Sequence, residues 1–269
     1  ANLYNATAPT VGWAVLYAGP GGATARQFVR SRDGLVTWVC YTGAPSGQAA
    51  QRVETGAVAN IAVTDIRTIA LDKDASSLGA TLYLVGAQAS PAIYSVDGLT
   101  GLSAVTSSQT FPSGTTVQHM LADPDVSVIY TADFDSVSAS QGALRKFFPQ
   151  SDRLLLWKSL AAGQQGHMIG LGGPNTTARA NIILLPYAAT GASDKIWVLD
   201  ASTGVWSGVT PPEATKKWYS CRVNPFDTNK WLLFRRPRDA DNESAVNNAL
   251  WYTSDAGANW TNIWTNIAN

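Results

Sequence analysis

Short apolar segments and turn residues alternate along the chain in a repeated order. Near the C-terminal end, the pattern predicts a first strand over residues 218–225, which ends in Asn-Pro, and a second strand over residues 230–234. It predicts a third strand over residues 250–253 and a fourth that starts at Trp260. Repetition at a spacing of about 50 residues is typical of β-propeller blades, which consist of four short strands. The same order recurs over 66–98, 117–157 and 167–206, and in a shortened form over 3–38.

These repeats predict one all-β domain over residues 1–269, a β-propeller of four-stranded antiparallel blades. A blade of this kind cannot bury both faces alone, so neighbouring blades stack and cover one another. Five blades are expected, and six are the alternative, because the connecting segment 44–65 is long enough to hide an incomplete one. A two-sheet sandwich is less favoured, since it leaves the repeated order unexplained. The predicted blades span 1–43, 66–105, 117–160, 166–210 and 218–266.

The most specific motif lies between the third and fourth strands of the last repeat. Residues 253–260 match the pattern Ser/Thr-x-Asp-x-Gly-x-Thr/Asn-Trp at every specified position, starting at Thr253. In a tight turn, the carboxylate of Asp255 accepts hydrogen bonds from backbone N–H groups, and Gly257 supplies a positive φ. The indole of Trp260 packs under the turn and fixes the direction of the next strand. The motif therefore predicts a structural turn before it predicts any activity.

Two partial copies of this motif occur in earlier repeats. Ser31, Asp33 and Trp38 belong to one, which lacks the glycine at the expected position, and Ser95 and Asp97 start the other. Together with the full motif and the Asp-Pro and Asn-Pro strand ends, they make the chain resemble the Asp-box (BNR-repeat) β-propellers. That family includes sialidases, xyloglucan-cleaving glycosidases, sortilin-type receptors and photosystem assembly factors. Because enzymes, receptors and structural proteins share the motif, the resemblance implies a fold and leaves the function open.

Composition argues against several classes of protein. The 269 residues carry a formal net charge of zero and only 14% are charged, whereas a nucleic-acid-binding surface needs a basic stripe. Because 45% of the residues are hydrophobic, a packed core can form. No apolar run approaches the roughly 20 residues of a membrane span, so membrane insertion is not expected. No signal peptide is visible at the start of the sequence.

Cysteine and histidine are both scarce, which limits disulfide and metal chemistry. The two cysteines, Cys40 and Cys221, are too few for a disulfide-rich secreted scaffold, and two buried thiols are favoured over a single bridge. The two histidines, His119 and His167, have no Cys or carboxylate at ligand spacing beside them. We therefore expect no metal site and no cofactor.

A candidate binding site follows from aligning the first strands of the repeats, which line the central channel of a propeller. Both histidines fall near the start of such strands, and polar and aromatic residues occupy the aligned positions. Together they would form a polar, aromatic-edged mouth of the kind that holds a sugar or a peptide. A water-filled channel without a ligand is the alternative. The predicted channel-mouth residues are Arg67, Gln118, His119, His167, Trp218 and Tyr219.

An enzymatic role is less favoured. The resemblance to sialidases implies an Arg triad whose first member lies in a Phe/Tyr-Arg-Ile-Pro motif near the N-terminus. The nearest string here, residues 234–237, lies on the second strand of the last repeat, next to a loop of mixed charge. Glycosidases of the family need two carboxylates facing each other across a cleft. Several acids belong to turns, and spacing pairs none of Glu54, Asp65, Asp133 and Asp135, so no catalytic residue is assigned.

The sequence thus favours a non-catalytic binding or assembly module. Its texture, rich in Gly, Ala, Ser and Thr, fits a structural or adhesive component of an extracellular particle such as a phage virion or tail. The expected partners are other protein chains of an assembly or a surface glycan, and the expected location is extracellular or in a virion. The alternatives are a secreted, lectin-like carbohydrate-binding propeller and a glycoside hydrolase of sialidase or xyloglucanase type.

Overall fold

The computed structural model describes twenty strands and the turns beside several of them. Contacts divide the chain into two compact units, one made of Ala1–Thr131 with Arg145–Leu155, the other of Ala132–Leu144 with Leu156–Asn269. The described residues are 3–4, 12–16, 27–31, 39–40, 66–71, 81–86, 91–97, 105–123, 126–135, 142–160, 164–172, 181–188, 195–200, 203–212, 220–224, 226–235 and 249–265.

Within these ranges the strands form five four-stranded sheets, each built from strands consecutive in the chain. The first sheet contains β1 (Leu3–Tyr4), β2 (Gly12–Leu16), β3 (Gln27–Ser31) and β4 (Val39–Cys40). The second contains β5 (Ile66–Leu71), β6 (Thr81–Gly86), β7 (Ala92–Asp97) and β8 (Val105–Thr110). The third contains β9 (Thr115–Ala122), β10 (Ile129–Asp135), β11 (Gly142–Phe148) and β12 (Arg153–Ser159). The fourth contains β13 (Gln164–Gly172), β14 (Asn181–Ala188), β15 (Ile196–Asp200) and β16 (Val205–Val209). The fifth contains β17 (Ser220–Asn224), β18 (Asp227–Arg235), β19 (Ala249–Thr253) and β20 (Thr261–Thr265).

The predicted fold class is confirmed: the described chain is almost entirely β, in four-stranded antiparallel sheets. A 3₁₀ turn at Pro149–Ser151 is its one helical element, and no helix in the described ranges is long and apolar enough to cross a membrane. The second sheet extends to Thr110, five residues beyond the predicted repeat end at 105. Its last strand, β8, has the sequence VTSSQT, so no apolar alternation marks it.

Apolar side chains of the second and third sheets form one core in the first unit. Strand β6 is buried on both faces, with Leu82, Leu84 and Val85 each 0% exposed, as expected for a strand covered on both sides. An edge-to-face contact between Tyr83 and Phe147, with ring centroids 5.9 Å apart, links the two sheets. The buried members of this core are Ala70, Tyr83, Val85, Ile93, Phe111, Val117, Met120, Ile129 and Phe147.

A second core joins the fourth and fifth sheets within the other unit. Cys221 is a free, buried thiol in this core, and burial raises its pKa to about 12. Strands β13 and β17 approach closely here: a Cβ added at Gly170 would lie only 3.1 Å from the Cys221 Sγ. The structure thus supports the expectation of a buried thiol at Cys221; the side chain of Cys40 lies outside the described residues. The buried members are Ile196, Val198, Cys221, Val223, Trp231 and Leu233.

Candidate functional site

The turn between β19 and β20 is held together by the residues that the Asp-box pattern specifies. Asp255 accepts hydrogen bonds from the N–H of Asn259 at 2.8 Å, from the Asn259 side-chain amide at 2.7 Å and from the Thr253 hydroxyl at 2.7 Å. Thr253 Oγ1 accepts one from the N–H of Gly257 at 2.9 Å. These bonds, led by those of Asn259, lower the pKa of Asp255 to about 2.

The same turn ties the last sheet to the end of β16. Gly257 has a φ of +84°, which favours glycine. The ring centroids of Trp231 and Trp260 lie 6.2 Å apart, and Trp260 Nε1 donates a hydrogen bond to the carbonyl of Thr210 at 3.3 Å. The turn is therefore a structural element that positions strands.

The partial motifs lie at the ends of third strands in other sheets, in different registers. Ser31 is the last residue of β3, and Asp97 is the last residue of β7. Ser95 is half-buried within β7. Asp33 and Trp38 lie outside the described residues, so their hydrogen bonds stay a prediction.

The predicted channel-mouth residues of the first unit lie on neighbouring first strands. Arg67 falls in β5 at a register irregularity between Ile66 and Thr68. The N–H of Met120 donates to the Thr68 Oγ1 at 3.0 Å, so β5 and β9 are joined one residue away from both Arg67 and His119. Gln118 and His119 are half-buried in β9, and the side chain of Arg67 is outside the described set. A β-bulge can re-aim the side chain at its position, which suits a site built from strand residues. The structure therefore brings Arg67, Gln118 and His119 onto adjacent strands.

The remaining predicted residues belong to the second unit. His167 lies in β13 at a register irregularity between Gly166 and Met168, the same kind of place as Arg67 in β5. Only its backbone is described, and Trp218 and Tyr219 lie outside the described ranges. Their part in a ligand site stays a prediction.

Of the four candidate carboxylates, Asp133 is the one whose side chain lies within the described residues. Asp133 lies in β10 and is only 2% exposed. Asp123, also 2% exposed, serves a turn: it accepts a hydrogen bond from the N–H of Val126 at 3.2 Å and one from the Tyr130 hydroxyl at 3.4 Å. Within the ranges that the structure covers, no cluster of three or more His, Cys, Asp or Glu side chains is arranged to hold a metal ion. The side chains of Asp135, Asp65 and Glu54 lie outside those ranges.

A cavity that the sequence did not predict lies where β17 turns into β18. Its volume is about 570 Å³, within the range of small-ligand and peptide-anchor pockets. Arg222, Leu232 and Tyr252 form one row across three strands, since Arg222 pairs with Leu232 and Leu232 with Tyr252. Phe226, in the turn, is 89% exposed. The residues that line the cavity, hereafter the hairpin cavity, are Arg222, Val223, Asn224, Phe226, Lys230, Trp231, Leu232 and Tyr252.

Large apolar side chains are also exposed on the fourth strands of three sheets. These strands end their sheets, so one side of each is an edge. Strands β16 (VWSGV) and β20 (TNIWT) contain no charged residue, although charges are the usual protection of an edge strand. Of the eight exposed large apolar side chains in the described set, five lie on these strands: Leu155 and Leu156 on β12, Val205 on β16, and Ile263 and Trp264 on β20. We call these five the edge residues.

The edge of the second sheet is protected differently. The Asp152 carboxylate accepts a hydrogen bond from the N–H of Ser108 in β8 at 2.8 Å, and another from its hydroxyl at 2.5 Å. This strand exposes the polar side chains of Ser108 and Thr110. Among the described fourth strands, β12, β16 and β20 thus expose apolar side chains, whereas β8 exposes polar ones.

A cluster of tryptophans surrounds one lysine near the end of β12. Lys158 Nζ lies 4.2 Å from the ring centroid of Trp197 and 5.6 Å from that of Trp206. Trp206 also meets Trp157 edge to face, with centroids 5.5 Å apart. Burial lowers the pKa of Lys158. The ammonium is therefore held against aromatic faces. Within the second unit, these contacts join β12 of the third sheet to β15 and β16 of the fourth sheet.

No family profile matches the sequence, and no curated protein is significantly similar to it. Solved structures do share the fold. The chain superimposes on a GH74 enzyme from Niastella koreensis with a TM-score of 0.64 and 14% identity, over 97% of this chain and 37% of that one. It superimposes on the GH74 xyloglucanase of Xanthomonas campestris with a TM-score of 0.62 and 13% identity, over 98% and 38%. A chain of a nidogen/laminin complex gives a TM-score of 0.57 at 8% identity, over 95% and 75%.

These likenesses, together with the repeated four-stranded sheets, establish that the chain has a β-propeller fold. The chain spans little more than a third of the length of either GH74 protein. At identities of 8–14%, the comparison shows fold alone, since one propeller architecture carries many activities.

Proposed function

We propose that the chain is a non-catalytic binding or assembly module, a five-bladed Asp-box propeller that serves as a structural or adhesive component of an extracellular particle such as a phage virion or tail. The observation that carries this proposal is the set of edge residues. Five sheets among the described strands support the blade number. The full motif and the motif at Ser31 each begin at the last residue of a third strand, which supports the Asp-box assignment.

The edge residues suit a surface that another chain covers. Val205 is 60% exposed and Leu156 is 56% exposed, and full burial of such a side chain contributes about 1.5–3 kcal/mol. An uncharged edge strand also offers unpaired N–H and C=O groups to a further strand. Soluble proteins that work alone protect such edges, so apolar, uncharged edge strands fit a chain that works in an assembly.

The partner that we propose for these edges is a further copy of the same chain. Three sheets expose apolar side chains on their fourth strands, and two of these strands, β16 and β20, carry no charge, which allows one chain to make several similar contacts. The formal net charge of zero removes the long-range repulsion that would keep copies apart.

Sedimentation velocity over a hundredfold range of concentration tests this role. We expect the weight-average sedimentation coefficient of the unmodified chain to rise with concentration. Val205→Lys and Ile263→Lys should each move it toward the monomer value, because a charge on an uncharged edge strand opposes pairing. Leu156→Lys should do the same by removing an apolar contact. Lys230→Gln, which removes an exposed charge from β18, an inner strand of its sheet, is the control and should associate like the unmodified chain. A chain that stays monomeric throughout refutes the proposed assembly.

A carbohydrate ligand is the second candidate. It is favoured by the extent of the structural likeness to two GH74 proteins, one of them a xyloglucanase, over nearly the whole of this chain. The ligand would lie at the channel mouth, at Trp218 and Tyr219. A glycan array tests this: a lectin-like chain binds a defined glycan, and Tyr219→Ala abolishes the binding. Release of reducing ends from xyloglucan would instead favour a hydrolase over both binding roles.

A further inference from the structure

Fourth strands of three sheets carry features that oppose pairing with a further strand. Strand β4 is two residues long, and β12 carries two charged residues, Arg153 and Lys158. The register of β8 is irregular, and Asp152 already accepts a hydrogen bond from the N–H of Ser108 in that strand. Shortness, charge and irregular register are the usual means by which an edge strand is kept from further pairing.

Strands β20 and β16 both lack charge, but they differ in register. Strand β20 has a bulge at Ile263, where its pairing with β19 shifts, and Asn262 Oδ1 accepts a hydrogen bond from the N–H of Trp264 at 3.0 Å. Strand β16, in contrast, pairs with β15 in one unbroken register over all five of its residues. Over Val205–Val209, β16 therefore shows none of the three protective features, and it is the fourth strand best suited to pair with another strand.

Contacts within the second unit hold β16 in place from both sides. The Trp206 ring meets that of Trp157 in β12, with centroids 5.5 Å apart, and Trp260 Nε1 donates to the carbonyl of Thr210, the residue after β16. Neighbouring sheets of a propeller cover the faces of a blade, whereas the free edge of β16 lies at the outer end of its sheet. The edge is thus preorganised, which lowers the entropic cost of pairing.

The sequence of β16, VWSGV, is complementary to itself when two copies run antiparallel with Ser207 at the centre. Val205 then lies opposite the partner's Val209, and Trp206 lies opposite the partner's Gly208, where no side chain competes with the indole for space. Apolar cross-strand pairs and an aromatic ring over a glycine both stabilise neighbouring strands. All five residues pair in this register, whereas a shift by two residues would leave three of them paired.

We propose that β16 pairs with the β16 of a second copy of the chain, antiparallel and centred on Ser207. The contact has two-fold symmetry and joins two four-stranded sheets into one continuous sheet. The edge residues on β12 and β20 then contribute side-chain contacts to further copies, without strand pairing. This inference rests on the proposed role in self-assembly, and it adds which strand pairs, in which register and with which symmetry.

Single cysteines introduced into a Cys40→Ser chain test the register. Residues directly opposite in an antiparallel pair have Cα atoms about 4.5–5.5 Å apart, which a disulfide can span, so Ser207→Cys should form a covalent dimer under mild oxidation. Val205→Cys is the matched control on the same strand, because its two copies would lie about 14 Å apart along the strand direction. Mixed with Val209→Cys, however, it should cross-link. Ile263→Cys tests pairing through β20 in the same way.

A charge swap at the same position tests the symmetry without a covalent bond. Ser207 is exposed, so Ser207→Lys and Ser207→Glu should both leave the fold intact. Each variant alone places like charges opposite each other and should associate about fivefold more weakly than the unmodified chain in sedimentation velocity. An equimolar mixture of the two places opposite charges together and should recover most of the lost association.

The outcomes separate this inference from the proposed function. We expect at least about tenfold more covalent dimer from Ser207→Cys than from Val205→Cys, measured on a non-reducing gel after free thiols are blocked. Equal cross-linking of these two variants, faster cross-linking of Ile263→Cys, or no recovery in the charge-swap mixture would overturn pairing through β16. Self-assembly would still stand in those cases if sedimentation of the unmodified chain depends on concentration, whereas a chain that stays monomeric would overturn both.

Discussion

Replacing Gly257 with alanine tests how tightly the turn at residues 253–260 is packed. Gly257 is buried and has a φ of +84°. A Cβ added there would lie 2.6 Å from Val209 Cγ1, 2.9 Å from the Trp231 ring and 3.3 Å from the Trp260 ring. The first two distances are shorter than any Cβ contact that a folded protein accepts without movement. Because Trp231 is only 2% exposed, the neighbouring side chains have little room to move.

Two separate costs contribute to the expected effect. A left-handed φ costs an alanine about 1–2 kcal/mol relative to glycine. Overpacking a well-filled site adds about 1–3 kcal/mol. We therefore expect Gly257→Ala to lower the free energy of unfolding by about 2–5 kcal/mol.

Two other glycines of the second unit separate these costs. Gly204 has a φ of +70°, but a Cβ there would meet nothing within 4 Å, so Gly204→Ala should cost only the conformational part, about 1–2 kcal/mol. At Gly208 the nearest atom to a Cβ, in Lys195, is 3.5 Å away, an ordinary contact, so Gly208→Ala should change stability by less than about 0.5 kcal/mol. Urea unfolding followed by tryptophan fluorescence measures all three. If Gly257→Ala costs no more than Gly204→Ala, the packing argument is refuted.

Three further predictions concern charge and the buried thiol. Hydrogen bonds lower the pKa of Asp255 to about 2, so the stabilisation by its carboxylate is complete above about pH 4 and is lost as the pH falls toward 2. In Asp255→Asn, the midpoint of urea unfolding should therefore depend less on pH over this interval. An unchanged pH dependence would contradict the turn geometry. Lys158→Met should lower the free energy of unfolding by about 0.5–2 kcal/mol, because the contact between the ammonium and the Trp197 ring is removed. Lys158→Arg keeps a cation at this position and should retain most of that stability. Equal losses in the two variants would rule out a cation–π contribution. In a Cys40→Ser background, a thiol reagent should label Cys221 slowly in the native chain, because burial shields the thiol and raises its pKa to about 12. Denaturant exposes the thiol and should make labelling rapid. Fast labelling of the native chain would show that the thiol is accessible.

The order of strands could be predicted because it depends on local signals. Apolar segments of four to eight residues, broken by turns, mark most strands of the described sheets, and a repeated order marks the blades. The motif at residues 253–260 specifies its own turn, since Asp255, Thr253 and Asn259 bond to one another within eight residues. Strand β8 was missed, because its Ser, Thr and Gln side chains lie on a polar outer strand and resemble a loop.

The hairpin cavity and the edge residues could not be predicted, because exposure depends on which neighbour covers each face. Trp231 and Leu232 are adjacent apolar residues of one strand, yet one is 2% and the other 39% exposed. Period-two alternation tells which residues share a face, and only the packing of whole sheets decides which face is buried. The same limit applies to Val205 and Ile263, which read as ordinary strand residues in the sequence. The sequence therefore predicts which residues, such as Arg67 and His119, occupy equivalent positions on neighbouring strands. It does not predict which of them are exposed to a ligand.

Hydrogen–deuterium exchange of the chain at low and at high concentration tests the proposed assembly role most directly. Mass spectrometry of the peptides that cover Arg153–Ser159, Val205–Val209 and Thr261–Thr265 reports on the three strands that carry the edge residues. Amides of one or more of these strands should gain protection at high concentration, while Val105–Thr110, where Asp152 already accepts a hydrogen bond from the N–H of Ser108, should not change. Identical exchange at both concentrations in all three strands would contradict assembly through the edge residues.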